Sequence, residues 1–225
     1  MNDRRTGTEM AGNGQPFDVL RRFLDQGPQQ RAGEVCEMCA TPIAEEHSHT
    51  VNLETRNLLC TCRACYLLFV PHGASQGKFR PVPDRYVYAP SFTLTDSQWD
   101  ALQIPVRLAF FFCNSSLGRV AAFYPSPAGA TESLLPLEAW QELVDANPML
   151  KTVEPDVEAL LVYGRKGGSD FECFVVPIDA CYELTGTVKR RWRGFDGGEE
   201  TWREIEAFFV RVREKSRTIT EKEMQ

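Results

Sequence analysis

The sequence predicts an α+β protein in which a small cysteine-rich module precedes a mostly antiparallel sheet packed with helices. Three observations lead there. Five of the eight cysteines fall between Cys36 and Cys65, as C-E-M-C, a spacer, and then C-T-C-R-A-C. Beyond them, short runs rich in aromatic and β-branched residues, such as "AFFFC", "EALLVY" and "ECFVVPI", are bounded by turn formers. Between and after these runs, apolar residues recur at helical spacing. With 225 residues, 43% hydrophobic and 25% charged, the chain is long enough for one large domain or for a domain plus a small module.

Residues 1–15 are Gly, Asn and charge without periodicity, so disorder is expected there. Phe17, Leu20, Phe23 and Leu24 then predict a short amphipathic helix over 16–26, ended by "GPQQ", with a linker to residue 33. The cysteine module spans 34–72 and closes at Pro71 and Gly73. "GASQGKFRPVPDR" after it has the Gly/Pro density of a connection. An α+β domain is expected over 85–214, and a flexible tail over 215–225.

Within that domain, "VRLAFFFCNSSLGRVAAFYPSPAG" predicts a β-hairpin turning at Asn114 to Gly118. Leu137, Trp140, Leu143 and Val144 predict a helix that stops before Pro148. "EALLVY" and "ECFVVPI" predict an antiparallel pair at the sheet's centre. "EETWREIEAFFVRVREK" predicts an amphipathic helix with Trp202, Ile205, Phe208, Phe209 and Val212 on one stripe. Residues 179–193 fit two periods. Cys181, Tyr182, Val188 and Trp192 suit a helix, whereas Tyr182, Leu184, Gly186 and Val188 alternate as in a strand; helix is preferred.

The N-terminal segment carries Arg4 and Arg5 but no apolar run of the kind a secretory signal needs, and the most apolar stretch, Pro105 to Phe112, is interrupted by Arg107. A cytoplasmic location without membrane association is therefore expected. Thiols stay reduced in that compartment, so clustered cysteines read as metal ligands rather than as a disulfide framework. The formal net charge of −6 is opposite to what a phosphate backbone attracts, so nucleic acid is not the expected partner.

The CxxC pairs Cys36/Cys39 and Cys62/Cys65 are separated by a spacer that lets two tight turns present four thiolates to one ion. In that spacer His49, Val51 and Leu53 alternate with Thr50, Asn52 and Glu54, "ETRN" supplies a turn and "LLC" returns, the layout of a zinc ribbon. Cys60 makes a fifth thiol. It alternates with Cys62 as a ligand, stands by as a reactive spare, or helps to hold an iron–sulfur cluster; His47 and His49 are further alternates. Zinc matches four thiolates and a ribbon too small to fold without metal. A rubredoxin-like iron site or an iron–sulfur cluster uses the same ligands and would make the protein an electron carrier.

The module "CEMCATPIAEEHSHTVNLETRNLLCTCRACYLLF" and the later "CFVVPIDACYELTGTVKRRWRGFDGG" together resemble an uncharacterised bacterial, mainly actinobacterial, family whose genes often lie among nickel–iron hydrogenase genes. The resemblance covers about 34–214. Cys36, Cys39, Cys60, Cys62, Cys65, His47 and His49 match its N-terminal pattern, and Pro177, Asp179, Trp192, Arg193, Gly194 and Asp196 its C-terminal one. It implies an accessory role beside hydrogenase subunits or maturation factors, and no established activity.

The other candidates have simpler readings. Cys113, Cys173 and Cys181 lie in or beside apolar runs and read as buried hydrophobes. His72 reads as a loop histidine. Lys189, Arg190, Arg191 and Arg193 around Trp192 read as a cationic helix end stopped by Gly194. "GRKGGSD" lacks the spacing of a phosphate loop. Glu45/Glu46 and Glu199/Glu200 are merely adjacent, and no histidine pairs with a nucleophile, so the sequence offers no catalytic constellation.

Overall fold

The computed structural model describes residues 33–164, 170–194 and 197–218. The segments expected to be disordered (1–15) and helical (16–26), most of the tail, and Asp196 lie outside these residues.

The cysteine module is built on a hairpin. Strand β1 (Ser48–Asn52) pairs antiparallel with β2 (Asn57–Thr61), in a register running from Ser48 opposite Thr61 to Asn52 opposite Asn57. The expected turn lies between them: Asn52 Oδ1 accepts from the amides of Glu54 and Thr55 at 3.0 and 3.2 Å, a side-chain substitute for a backbone turn bond. Helix α1 (Arg63–Leu68) follows directly. The segment read as a connection holds a third strand, β3 (Phe79–Pro81), which pairs with the free edge of β1. Three residues are too few to show a period of two, and the flanking glycines and prolines hid the strand. Pro81 ends it on an outer position, where a missing N–H does no harm.

The larger sheet has seven strands. They are β4 (Val87–Tyr88), β5 (Leu108–Asn114), β6 (Arg119–Ser126), β7 (Gly129–Ser133), β8 (Glu158–Gly164), β9 (Phe171–Pro177) and β10 (Arg217–Thr218), in the order β10-β4-β9-β8-β5-β6-β7. All neighbours are antiparallel except β10 and β4. The hairpin β5–β6 turns where expected, with Asn114 Oδ1 accepting from the Leu117 amide at 3.0 Å and Gly118 at φ 59°. β8 and β9 form the central pair. Helices α2 (Asp96–Ala101), α3 (Leu137–Ala146), α4 (Ile178–Arg191) and α5 (Gly198–Lys215) cover the faces.

Alternation along β8 and β9 divides the core. Leu161, Tyr163, Phe174 and Val176 join Leu184 and Val188 of α4 and Phe208 and Phe209 of α5. Leu160, Val162, Cys173 and Val175 join Trp99 of α2, Leu143 of α3 and Met149. A strand buried on both faces must be apolar throughout, and β8 reads that way. The exception is its first residue: Glu158, fully buried, receives two hydrogen bonds from Arg85 at 2.6 and 2.5 Å and one from the Glu154 amide at 2.8 Å. The ambiguous segment is helical because Cys181, Leu184, Thr185 and Val188 share one buried face, which leaves Tyr182 exposed.

The module rests on this body. Val51 and Val82 belong to the same core cluster as α4 and α5, with Leu53 and Leu58 packed against it. Arg80 of β3 donates to the carbonyl of Pro155 at 2.7 Å and to Glu154 at 3.1 Å.

Candidate metal centre

The first cysteine pair is held by a closed turn. The Cys36 amide donates to the Thr41 carbonyl at 2.8 Å and the Ala40 amide to the Cys36 carbonyl at 2.7 Å, with Ala40 in the left-handed region at φ 59°. This turn is fastened to β2 by Glu37. Its amide donates to the Cys60 carbonyl at 2.9 Å, and its carboxylate accepts from the Cys60 amide at 2.6 Å. The second pair is not a matching turn. Cys62 caps the N-terminus of α1, its sulfur accepting from the Cys65 amide at 3.4 Å, and Cys65 lies in the first turn of that helix. The centre thus combines a turn with a helix start, joined by the β1–β2 hairpin.

One sulfur from each of Cys36, Cys39, Cys62 and Cys65 lies within 4.8 Å of the others, and these four could hold a metal ion. Tetrahedral arms of about 2.3 Å require sulfurs roughly 3.8 Å apart; the Cys39 and Cys62 sulfurs are 3.7 Å apart. Cys36 and Cys65 are buried while Cys39 is exposed, so the group sits at the surface with one side closed. The cysteine cluster can therefore form a zinc-ribbon-like module.

The thiols hold their protons unequally. Burial pushes Cys36 up, but amide hydrogen bonds from Cys62, Met38 and Cys39 and the side chain of Cys39 together bring it down to about 6. The hydroxyl and amide of Thr41 lower Cys39. Cys65 is pushed up to about 12, first by its hydrogen bond with Cys39 and then by burial, because like charges cannot all form side by side. A divalent cation reverses that penalty, since it needs the deprotonated sulfur.

Cys60, His47 and His49 are not part of the four-sulfur group. They make a group of their own, in which one ligand atom from each lies within 4.8 Å of the others. The strand carrying Cys60 ends at Thr61 and Cys62 caps the following helix, so the two cysteines do not share one strand face. Burial first, and then Glu37, Glu34 and Cys36, push the Cys60 thiol up.

The remaining candidates fall where simple chemistry puts them. Cys173 and Cys181 are fully buried in the two core clusters, and burial pushes both thiols well above their ordinary range. Cys113 is half-buried and His72 exposed. In the basic stretch, Arg191 pairs with Glu200 at 2.7 Å and the Trp192 indole donates to the Gly194 carbonyl at 2.9 Å. Two contributors have a role that spacing did not reveal: Glu37, which fastens the turn, and Asp179, whose carboxylate lies 2.7 Å from His49 Nδ1 across 130 positions of chain. No spacing rule reaches that far; Asp179 was marked only by the family resemblance.

Among the described residues, no helix is long and apolar enough to cross a membrane. No curated protein and no solved structure matches the chain. A family model does match, over residues 35–216, and those limits take in the cysteine centre and every strand of the larger sheet except β10. The chain belongs to the family of unknown function DUF5947.

Proposed function

We propose that this chain is a zinc-binding accessory or adaptor protein, non-catalytic at the ion, with Cys36, Cys39, Cys62 and Cys65 as ligands. The observation that carries this reading is the meeting of four sulfurs from a turn and a helix start, all within 4.8 Å of one another, with the Cys39–Cys62 pair 3.7 Å apart, near the separation a tetrahedral site requires. The ion's work is structural. It ties residues 34–43 and α1 to a three-stranded sheet that buries few side chains of its own, and such ligation contributes on the order of 10 kcal/mol to folding.

The resemblance to proteins encoded among nickel–iron hydrogenase genes supports service to a hydrogenase system in the cytoplasm, through contact with its subunits or maturation factors. Leu67, Leu68 and Val70, exposed just beyond Cys65, support a role in contact with another protein.

Elemental analysis and absorption spectroscopy of the purified full-length chain test the ligand set. Colourless protein whose tightly held zinc falls in the Cys39→Ser variant is the expected result. A visible charge-transfer band that bleaches with dithionite would instead mean iron in these cysteines and an electron-transfer protein. Affinity purification from the native host tests the partner: recovery of hydrogenase subunits or maturation factors is expected, and their consistent absence removes that part of the reading.

A further inference from the structure

His47, His49 and Cys60 take no part in the four-sulfur cluster, yet their surroundings are those of a ligand set. We infer that they form a second, separate site for a divalent first-row transition ion of the zinc, cobalt and nickel class, with Asp179 as its outer carboxylate. The inference does not depend on the four-sulfur cluster being filled.

The backbone brings the three together. His47 immediately precedes β1 and His49 is its second residue, and the extended chain brings their rings to the same side, with centroids 4.7 Å apart. Cys60 is directly opposite His49 on β2. Both the amide and the carbonyl of Cys60 are taken by Glu37, and the His49 carbonyl accepts from Val82 at 3.0 Å. His49 and Cys60 are therefore a non-hydrogen-bonded pair, the class in which facing side chains stand closest.

The ring nitrogens are already sorted. His47 Nδ1 faces the carbonyls of Ala44 at 2.9 Å and Glu45 at 3.1 Å, with a Glu34 carboxylate oxygen at 3.4 Å. All are acceptors, so Nδ1 carries the hydrogen and Nε2 the lone pair. That Nε2 is buried without a hydrogen-bond partner, in a side chain only 8% exposed. A buried ring nitrogen left unpaired is costly, and an ion supplies the missing partner. His49 is sorted in the same way: Nδ1 donates to Asp179 at 2.7 Å, which leaves its Nε2 as donor to a metal. A histidine whose far N–H is held by a carboxylate or a backbone carbonyl is the usual outer-shell pattern of metal-binding imidazoles. Here both histidines have it.

Two imidazoles and one thiolate suit a borderline-soft divalent ion, and three protein ligands leave a fourth position for water or a small ligand. A surface pocket bordered by His47, Ser48 and Cys62 adjoins the group. Because Asp179 lies in the first turn of α4, occupancy would tie the module to the body.

The test uses the full-length chain, equilibrated with excess zinc under reducing conditions and freed of loose ion by gel filtration. Elemental analysis should find about two zinc ions per chain. Cys60→Ser and His47→Ala should each retain about one, and Asp179→Asn should bind the second ion about 10- to 100-fold more weakly. A readout that needs no substitution is cadmium NMR of the loaded chain: two resonances are expected, one at the far downfield position of an all-sulfur site and one upfield of it. A single ion in the wild-type chain with a single all-sulfur resonance overturns the inference, as does full retention of both ions in Cys60→Ser and His47→Ala. An ion lost in Cys60→Ser but kept in Cys39→Ser would uphold this site and reject the four-sulfur one.

Discussion

The cysteine module and the seven-stranded body solve the problem of staying folded in different ways. The body buries both faces of its central strands: Leu160, Leu161, Val162, Phe174, Val175 and Val176 are each at most 1% exposed, and helices cover both sides. Each such side chain contributes roughly 2 kcal/mol through removal from water. The module's three-stranded sheet contributes only Val51 and its Thr50 and Thr61 neighbours to buried positions, and its remaining buried side chains are the sulfurs Cys36 and Cys65. Apolar packing holds one region, and in the proposed function ligation by the four cysteines holds the other. On that proposal the chain would respond to metal in one part while the rest stays in place.

Removing the ion should break this contrast most strongly. Chelation of the full-length chain is expected to cost the module on the order of 10 kcal/mol of ligation free energy. Circular dichroism should show a partial loss of structure, with a residual cooperative melt belonging to the body. Glu158→Gln attacks the other side. It leaves Arg85 facing a neutral group, and because that guanidinium keeps 32% exposure the cost should fall near the lower end for broken buried pairs, roughly 3 kcal/mol. Urea denaturation should register the loss while zinc content stays unchanged.

Two smaller changes sharpen the comparison. Val51→Ala removes apolar contact where the module meets the body, at about 1.5 kcal/mol for the lost methyl groups. It should lower the melting temperature and also speed amide exchange in β1, because both regions share that side chain. Thr95→Ala removes the capping box at the start of α2, in which the Thr95 hydroxyl accepts from the Gln98 amide at 3.2 Å. About 1 kcal/mol is expected from thermal melts, with no effect on metal content.

The same contrast explains what was legible in the sequence. The β5–β6 hairpin, the β8–β9 pair, α3 and α5 were all visible because each is long enough to show its period and ends on turn or cap chemistry. Strands β4 and β10, of two residues each, show no period, and β7 is the small polar segment "GATES" at a sheet edge. Helix α2 was overlooked although Thr95-Asp-Ser-Gln98 carries the capping-box spacing. The segment 179–193 fitted both periods, and tertiary burial of Leu184 and Val188 decided it. At the centre, the two CxxC pairs identified the residues whose sulfurs meet. The division of the fifth thiol and the histidines into another group was not legible, because it depends on strand register and on Asp179, which only folding brings near.

Hydrogen exchange on the full-length chain, with its ion and after chelation, tests the central claim most directly. The account predicts that residues 34–72 lose protection when the ion is removed while β8 and β9 keep theirs. Equal protection of the module in both states would contradict it.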